Sequence, residues 1–477
     1  MIERYNMDFS KNSIDVFTQT CYRTDRFDVV ICGSGPSGTA AAVQAAREGM
    51  SVALIERSGC FGGTMTSGGV CHLLGGRRWD EKSQRMVREV GGFFDELTDA
   101  LIAEGKAVDP DTVDVHNFNP FGWYPRMAAG IPCDIEALKL KLDEIIIGSG
   151  IVPFLFTTIV GAETEKADSG QIIKKIFAAD QSGIRSFEAD TFIDATGDAQ
   201  LAFLSGCPFF KGRDEDGLMT PATLISHIDN VDMEAYVAYQ NEHRSPKLVE
   251  IINSLREKGI WKFPFEIFIS VELNNSDVCM LNTVRQVGID GTDAQSVTHS
   301  MIEGRKETDE LLAIMREYFP GFEKARLRST APRIGIRESR RIDGRAYVTI
   351  DDANSGRTYP DQVIRTTYNF DLPDPRRPSF DPMLGSVTNP DATRKHIGIN
   401  APYGCLLPQI IDNLIVCGRC ISVSREILGP MRVTGPAMLS GQAAGFAASI
   451  AKQNSVDAAY VDGAEIKQRL AESGCII

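Results

Sequence analysis

Residues 27–32 (FDVVIC) form a short apolar run rich in β-branched side chains. A run with no polar face predicts a strand buried on both sides, as in a parallel sheet. A glycine-rich turn follows at once. Residues 39–48 (TAAAVQAARE) are Ala-rich and stop before Gly49, which predicts a helix with a glycine C-terminal cap. Residues 51–56 (SVALIE) return to a strand pattern. Together these segments make a β-α-β unit, whose two strands lie parallel across a right-handed crossover.

The pattern then becomes less regular. Residues 77–130, with a helical stretch at 90–102 and a Pro/Asn/Trp-rich loop, read as an excursion. A helix is predicted at 134–147 and strands at 151–160, 172–179 and 187–192. The turn signals Asp168-Ser169-Gly170 and 180–183 give these the form of a β-meander. From 207 to 396 helices at 232–240, 247–258 and 294–318 mix with strands at 265–273, 278–283 and 346–349, interrupted by Pro-rich loops at 373–378 and 382–390. A strand at 413–417 (NLIVC) and a small-residue helix at 436–452 close the chain. The expected fold class is α/β. A Rossmann-like dinucleotide-binding domain with a βββ meander spans 1–206 and 397–477, and an α+β substrate domain, 207–396, is inserted between its parts.

Bulk properties narrow the function. The 477 residues suit two domains, and 43% hydrophobic with 24% charged residues is ordinary for a globular protein. A formal net charge of −14 is a poor match to a nucleic-acid backbone, so no nucleic-acid partner is expected. No apolar run approaches the roughly 20 residues of a membrane helix. Residues 1–26 are polar and charged, without the apolar core of a secretory signal. The expectation is a cytoplasmic protein with no membrane partner. Eleven scattered cysteines, several in apolar runs (Cys32, Cys207, Cys279), fit reduced and mostly buried thiols. No metal is expected.

The chemistry starts at Gly33-Ser34-Gly35-Pro36-Ser37-Gly38. In a G-x-G-x-x-G turn the first two glycines let backbone approach a pyrophosphate, and the third lets helix and strand pack closely. The helix N-terminus then turns its free N–H groups and positive dipole end to the phosphates. Glu56 ends the second strand, with Arg57 beside it. A carboxylate there accepts from ribose hydroxyls and repels a 2′-phosphate, which leaves FAD or NAD. Further segments favour the longer cofactor. Gly62-Gly63-Thr64 allows backbone to run along a ribityl chain. Ala195-Thr196-Gly197-Asp198 places small residues at a strand end, and Ile159, in the first strand of the meander, is a further candidate cofactor contact. Gly418-Arg419 leads to Thr434 and Ala437, where Pro436 fits a first helical position and the helix N-terminus can stabilise charge on a reduced flavin.

These runs resemble the FAD-dependent oxidoreductase family with the glutathione-reductase-type FAD fold, and within it a bacterial branch loosely related to fumarate reductase flavoproteins. The matching runs are DVVICGSGPSGTAAAVQAAREG…VALIERSGCFGGTMTSGG, DATGDAQLAFLSG, PRIGIRESRRIDG and LLPQIIDNLIVCGRCISVSREILGPMRVTGPAMLSGQAAG. The resemblance implies bound FAD and a redox role, without a substrate. The spacing of His72 does not match the flavin-linked His of the fumarate reductase relatives, so the FAD is expected to be non-covalent. Two positions depart from the family: Arg425 stands where His is frequent, and Gly404 where a basic residue is frequent.

Candidates for the reacting site follow. Arg333, Arg337 and Arg340 belong to the densest basic cluster and offer guanidinium forks to an anionic substrate or a proton to the reaction. The alternative for them is salt bridging with Glu338 at a domain interface. His72 follows a glycine pair and is either near the flavin ring or a hydrogen-bonded structural residue. Tyr403 and His396 lie where the chain re-enters the cofactor domain. Cys417-x-x-Cys420 invites a dithiol reading, but the redox pair of flavin disulfide reductases follows the Gly-Gly-Thr turn, where this chain has Met65. Nor does a second dinucleotide turn occur, since Gly148-Ser149-Gly150 lacks a third glycine and a following helix. The expected function is hydride transfer between flavin N5 and a small organic substrate, carboxylates included, with an electron donor or acceptor that the sequence does not name. The alternatives are a flavin-assisted isomerase-type enzyme and a flavin-binding protein without turnover.

Overall fold

The computed structural model describes residues 20–122, 130–167, 170–274, 278–376 and 398–477. His396, the 382–390 loop, the Asp168-Ser169 turn and residues 1–19 lie outside them. Strand β1 (Cys21–Cys32), helix α1 (Pro36–Arg47) and strand β2 (Val52–Ile55) form the opening β-α-β unit, with Val29 beside Val52 and Cys32 beside Ile55 in parallel register. Strand alternation divides the apolar run between two layers. Val29, Ile31 and Leu54 pack against the alanines of α1, while Val30, Cys32, Ala53 and Ile55 face Phe187 and Phe192.

The seven-stranded sheet is built around one shared edge. Strand Gly183–Asp194 pairs parallel with β1 on one side. On its other side Gly183 to Phe187 pair antiparallel with Gln171–Asp180, whereas Phe192 to Asp194 pair parallel with Leu414–Val416. The returning C-terminal chain therefore enters where the meander leaves. Helix Thr434–Asn454 then lies against α1, and glycines set how close it comes. A Cβ at Gly441 would stand 2.0 Å from the Ser37 carbonyl oxygen, and one at Gly445 would stand 2.8 Å from that of Ala41. Small residues on both helices are the steric condition for this crossing.

A second core is aromatic. Strands Ser270–Glu272, Cys279–Leu281, Ser226–Asp229 and Arg326–Thr330 form a four-stranded antiparallel sheet in that order, and helix Ala294–Tyr318 packs nearby. Tyr236, Trp261, Phe265, Phe268, Phe319 and Phe322 fill it, mostly edge to face.

Four elements differ from the sequence pattern. Of the strand expected at 265–273 only Ser270–Glu272 is strand, the residues before it being coil that supplies Phe265 and Phe268 to the aromatic core. The run at 151–160 is two strands, Val152–Phe154 against β2 and Thr158–Lys166 in the meander, broken at Phe156 with φ 51°. Residues 346–349 form no strand, because Thr349 caps helix Ile350–Asn354 in a reciprocal capping box with Asp352. Pro436 is third rather than first in its helix, which begins at Thr434; the missing N–H is still harmless in a first turn.

Candidate active site

Three glycine turns meet at the sheet's C-terminal edge. Gly33 (φ 95°) closes the first, and its N–H donates to the Ile55 carbonyl at 2.7 Å. A Cβ at Gly33 would lie 2.6 Å from the Ala195 oxygen, and one at Gly38 would lie 1.9 Å from the Gly33 oxygen. Only glycine permits those approaches. Gly35 differs: nothing lies within 4 Å of its absent Cβ, so that space is open cleft. Gly35 is also the N-cap of α1, and no side chain caps that first turn. Gly63 lies against Gly35, and the Gly62 N–H donates to the Ser34 carbonyl at 2.7 Å. Gly418 packs on Ser37. A side chain at Gly35 would fill the cradle that a pyrophosphate needs, and the uncapped α1 turn supplies its donors.

Glu56 is buried and held by three donors. Its Oε2 accepts from the Ser34 N–H and Oγ, both at 2.8 Å, and its Oε1 accepts from the Ser58 N–H at 2.8 Å. Since the carboxylate also lines the cleft, it fits a ribose. Asp198 is the second carboxylate of the cradle. Burial would raise its pKa, but the Arg419 and Arg57 guanidiniums hold it below the usual carboxylate range. Arg57 donates to its Oδ2 at 3.2 Å and the Ser339 hydroxyl to its Oδ1 at 3.0 Å. Arg419 bonds the same Oδ1 and also the carbonyls of Gly197 and Ile336, tying the cofactor turn to the arginine-rich segment.

One continuous cleft collects nearly every cofactor residue expected from sequence: Gly33, Gly35, Pro36 and Ser37; Glu56, Arg57, Gly63 and Thr64; Ile159; Ala195 to Asp198; Gly418 and Arg419; Thr434 and Ala437. Gly38 and Gly62 stand behind its wall, where they set the packing of the turns. The sequence reading missed Ser67, Val70, Thr223, Asn282 and Asp371, which also line it, as does Arg432 at the head of the segment that carries Thr434 and Ala437. Ser67 carried a usable signal, the glycine pair that follows it. Asn282 and Asp371 are single polar residues on separate segments and carried none.

The catalytic candidates separate. His72 lines the cleft but is buried against Gly130, and burial pushes its pKa down to about 4. It is neutral at ordinary pH and cannot serve as an imidazolium acid. Arg333 lines the cleft beside Glu56, its guanidinium 3.3 Å from the Ser58 hydroxyl and 3.8 Å from the Glu56 carboxylate. Tyr403 is corrected outright. It is absent from the cleft lining, and its buried hydroxyl donates to the Ala458 carbonyl at 2.9 Å. Arg340 stacks 4.1 Å above the Phe203 ring and donates to the Asp198 carbonyl. The salt-bridge alternative applies to its neighbours: Arg341 and Arg425 bind buried Glu338 at 2.7 and 2.9 Å. Gly404 packs on Ala346. Arg337 alone among the arginines first considered reaches the cleft away from Glu56; its Nη1 donates to the Pro221 carbonyl at 2.7 Å and its Nη2 to Asn282 Oδ1 at 2.9 Å. All eleven cysteines are free, and Cys417 and Cys420 are buried, with Cys417 pushed up to about 12 by burial. A dithiol site is thus no better supported by the structure than by the sequence.

Fold and site define an FAD-binding oxidoreductase. The chain belongs to the FAD dependent oxidoreductase family, whose sequence profile matches residues 28–470. A Dictyostelium discoideum protein named "Putative bifunctional amine oxidase" is 35% identical over 75 residues, a match that spans 16% of this chain and 7% of that protein. Among solved structures, a geranylgeranyl bacteriochlorophyll reductase-like protein of Thermoplasma acidophilum superposes with a TM-score of 0.45 at 11% identity, covering 94% of this chain and 84% of its own. For p-nitrophenol 4-monooxygenase of Pseudomonas putida the TM-score is 0.45 at 10% identity, with 94% and 86% covered. Among the described residues, no helix is long and apolar enough to cross a membrane.

Proposed function

We propose that this oxidoreductase moves a hydride between flavin N5 and a small organic substrate bound at the end of the cleft lined by Thr223, Asn282, Arg337 and Arg432. The observation that supports this reading most is the continuity of the cleft. It runs from the Glu56 carboxylate past the glycine cradle to polar side chains that no dinucleotide phosphate needs. Bound FAD supplies the two-electron chemistry. The chain supplies the rest. Glu56 takes the ribose, the first turn of α1 takes the pyrophosphate, and non-covalent binding needs nothing more. The N-terminus of helix Thr434–Asn454 has no side-chain cap, its Gly435 N–H donating to the Leu74 carbonyl at 2.9 Å, and offers its positive dipole end to charge on the reduced ring. Neutral His72 and Ile225 serve as wall rather than acid, and Asn282 and Arg337 orient the substrate. A separate electron donor or acceptor completes turnover.

An anaerobic screen of small organic compounds against the holoprotein tests the reading. The expected result is lasting loss of the oxidised flavin's visible band with one compound, and one oxidised product per flavin. Conversion of a compound with the visible band intact at the end would instead mean isomerase-type chemistry without net redox.

A further inference from the structure

We infer that the end of the cleft formed by Asn282, Arg337, Asp371 and Arg432 is a carboxylate-binding subsite, in which the two guanidiniums take the acid group of the substrate and Asp371 moderates their charge. The inference rests on the proposed reading only in taking the bound acid to be the hydride partner.

The segment that carries Arg337 is pinned. Gly335 and Thr223 exchange both backbone hydrogen bonds, at 3.2 and 2.8 Å, so Arg337 enters the cleft from a fixed backbone. Both of its acceptors, the Pro221 carbonyl and Asn282 Oδ1, are neutral. Among the described residues it makes no ion pair. Arg432 has one carboxylate: its Nη2 lies 3.2 Å from Asp371 Oδ2 and 3.1 Å from the Asp371 carbonyl. A third guanidinium, Arg285, is buried on the adjoining strand Arg285–Gln286 and acts on both Arg337 and Asp371. Among the described residues, Arg337 and Arg432 thus line this end of the cleft with Asp371 as the carboxylate beside them. A bound anion would add to the charge that Asp371 supplies.

The electrostatics agree. Burial, then the Arg285 and Arg432 charges, push Arg337 down to about 9. Burial alone would raise Asp371, but Arg432, Arg337 and Arg285 hold its carboxyl below the usual range. The ligand class follows from the donors. A guanidinium fork matches a planar carboxylate. Asn282 spends its oxygen on Arg337, which leaves its amide N–H groups for the ligand's second oxygen.

Calorimetric titration of the holoprotein with malonate, malonamide and inorganic phosphate, at constant ionic strength, tests this. Malonate is expected to bind saturably and malonamide not at all. Arg337→Gln and Arg432→Gln should each weaken malonate by about tenfold or more. Asp371→Asn should tighten it, an inversion that a merely structural role does not produce. FAD content reports folding for each variant, and if Arg337→Gln is lost, the opposed shifts of the other two still decide. Equal binding of malonamide, tighter binding of phosphate, absence of malonate binding, or indifference to these substitutions would overturn the subsite. Malonate binding with the expected pattern, in a protein whose flavin no compound bleaches, would remove the hydride reading and leave the subsite standing.

Discussion

Glu56 spends three hydrogen bonds on its own position, two from Ser34 and one from the Ser58 N–H, before any ligand arrives. An ionised carboxylate accepts about four, so the protein orients the group and keeps little of it unused. Glu56→Gln puts an amide donor where one of these acceptors stands. It should weaken FAD by roughly 10- to 100-fold in a fluorescence titration; an unchanged affinity would mean the ribose lies elsewhere. Arg337 is faced by Arg285, Arg432 and Asp371, with the neutral Asn282 and Pro221 carbonyl as its acceptors, and burial with the two like charges pushes its pKa down from the ordinary guanidinium value. A guanidinium still stays charged near neutrality, so Arg337 should add no pH dependence to carboxylate binding there, read by titration at several pH values. His72 behaves in the opposite sense to a paired histidine. Its pKa falls from 6.5 to about 4 on burial, so its contribution to stability is complete above 6.5 and is lost as pH falls toward 4. The shift corresponds to about 3 kcal/mol. Urea midpoints of His72→Phe should lack that acid slope, and an identical slope would assign it to other groups.

At the scale of elements, the contact between α1 and helix Thr434–Asn454 holds the cradle in place. Gly441→Ala would drive a methyl into the Ser37 carbonyl, 2.0 Å away, and should cost about 1–3 kcal/mol while weakening FAD, since Ser37 belongs to the turn. Gly148→Ala, where nothing lies within 4 Å, should be neutral or stabilise by up to about 1 kcal/mol. Thermal melts and FAD content together read both. The elements legible in sequence were those whose pattern is local. The β-α-β unit and the helix at 294–318 needed only apolar runs, Ala content and caps. The shared edge of Gly183–Asp194 was not legible, because Leu414–Val416 reaches it from some 220 residues away. The break at Phe156 was hidden by apolar residues on both sides, and Thr349 read as a strand end until its capping box with Asp352 was seen.

Across the whole molecule, the cofactor half of the site was readable because glycines have steric duties that survive as sequence. Gly33, Gly38 and Gly62 each sit where a Cβ would strike a neighbour. The proposed substrate half was not, because Asn282, Asp371 and Arg432 become neighbours only through packing of segments distant in the chain. Tyr403 falls outside the cleft for the complementary reason: lying beside a cofactor segment in the chain does not fix where a side chain points. The molecule carries a formal charge of −14, yet the far end of its cleft gathers guanidiniums. By the reading proposed above, FAD and an organic acid meet in that one cleft and exchange a hydride. Its most direct test is the visible spectrum of the anaerobic holoprotein mixed with a panel of carboxylic acids and their amides. One acid is expected to bleach the flavin, and its amide is not. A flavin that stays oxidised with every acid, or one reduced equally well by acid and amide, would contradict it.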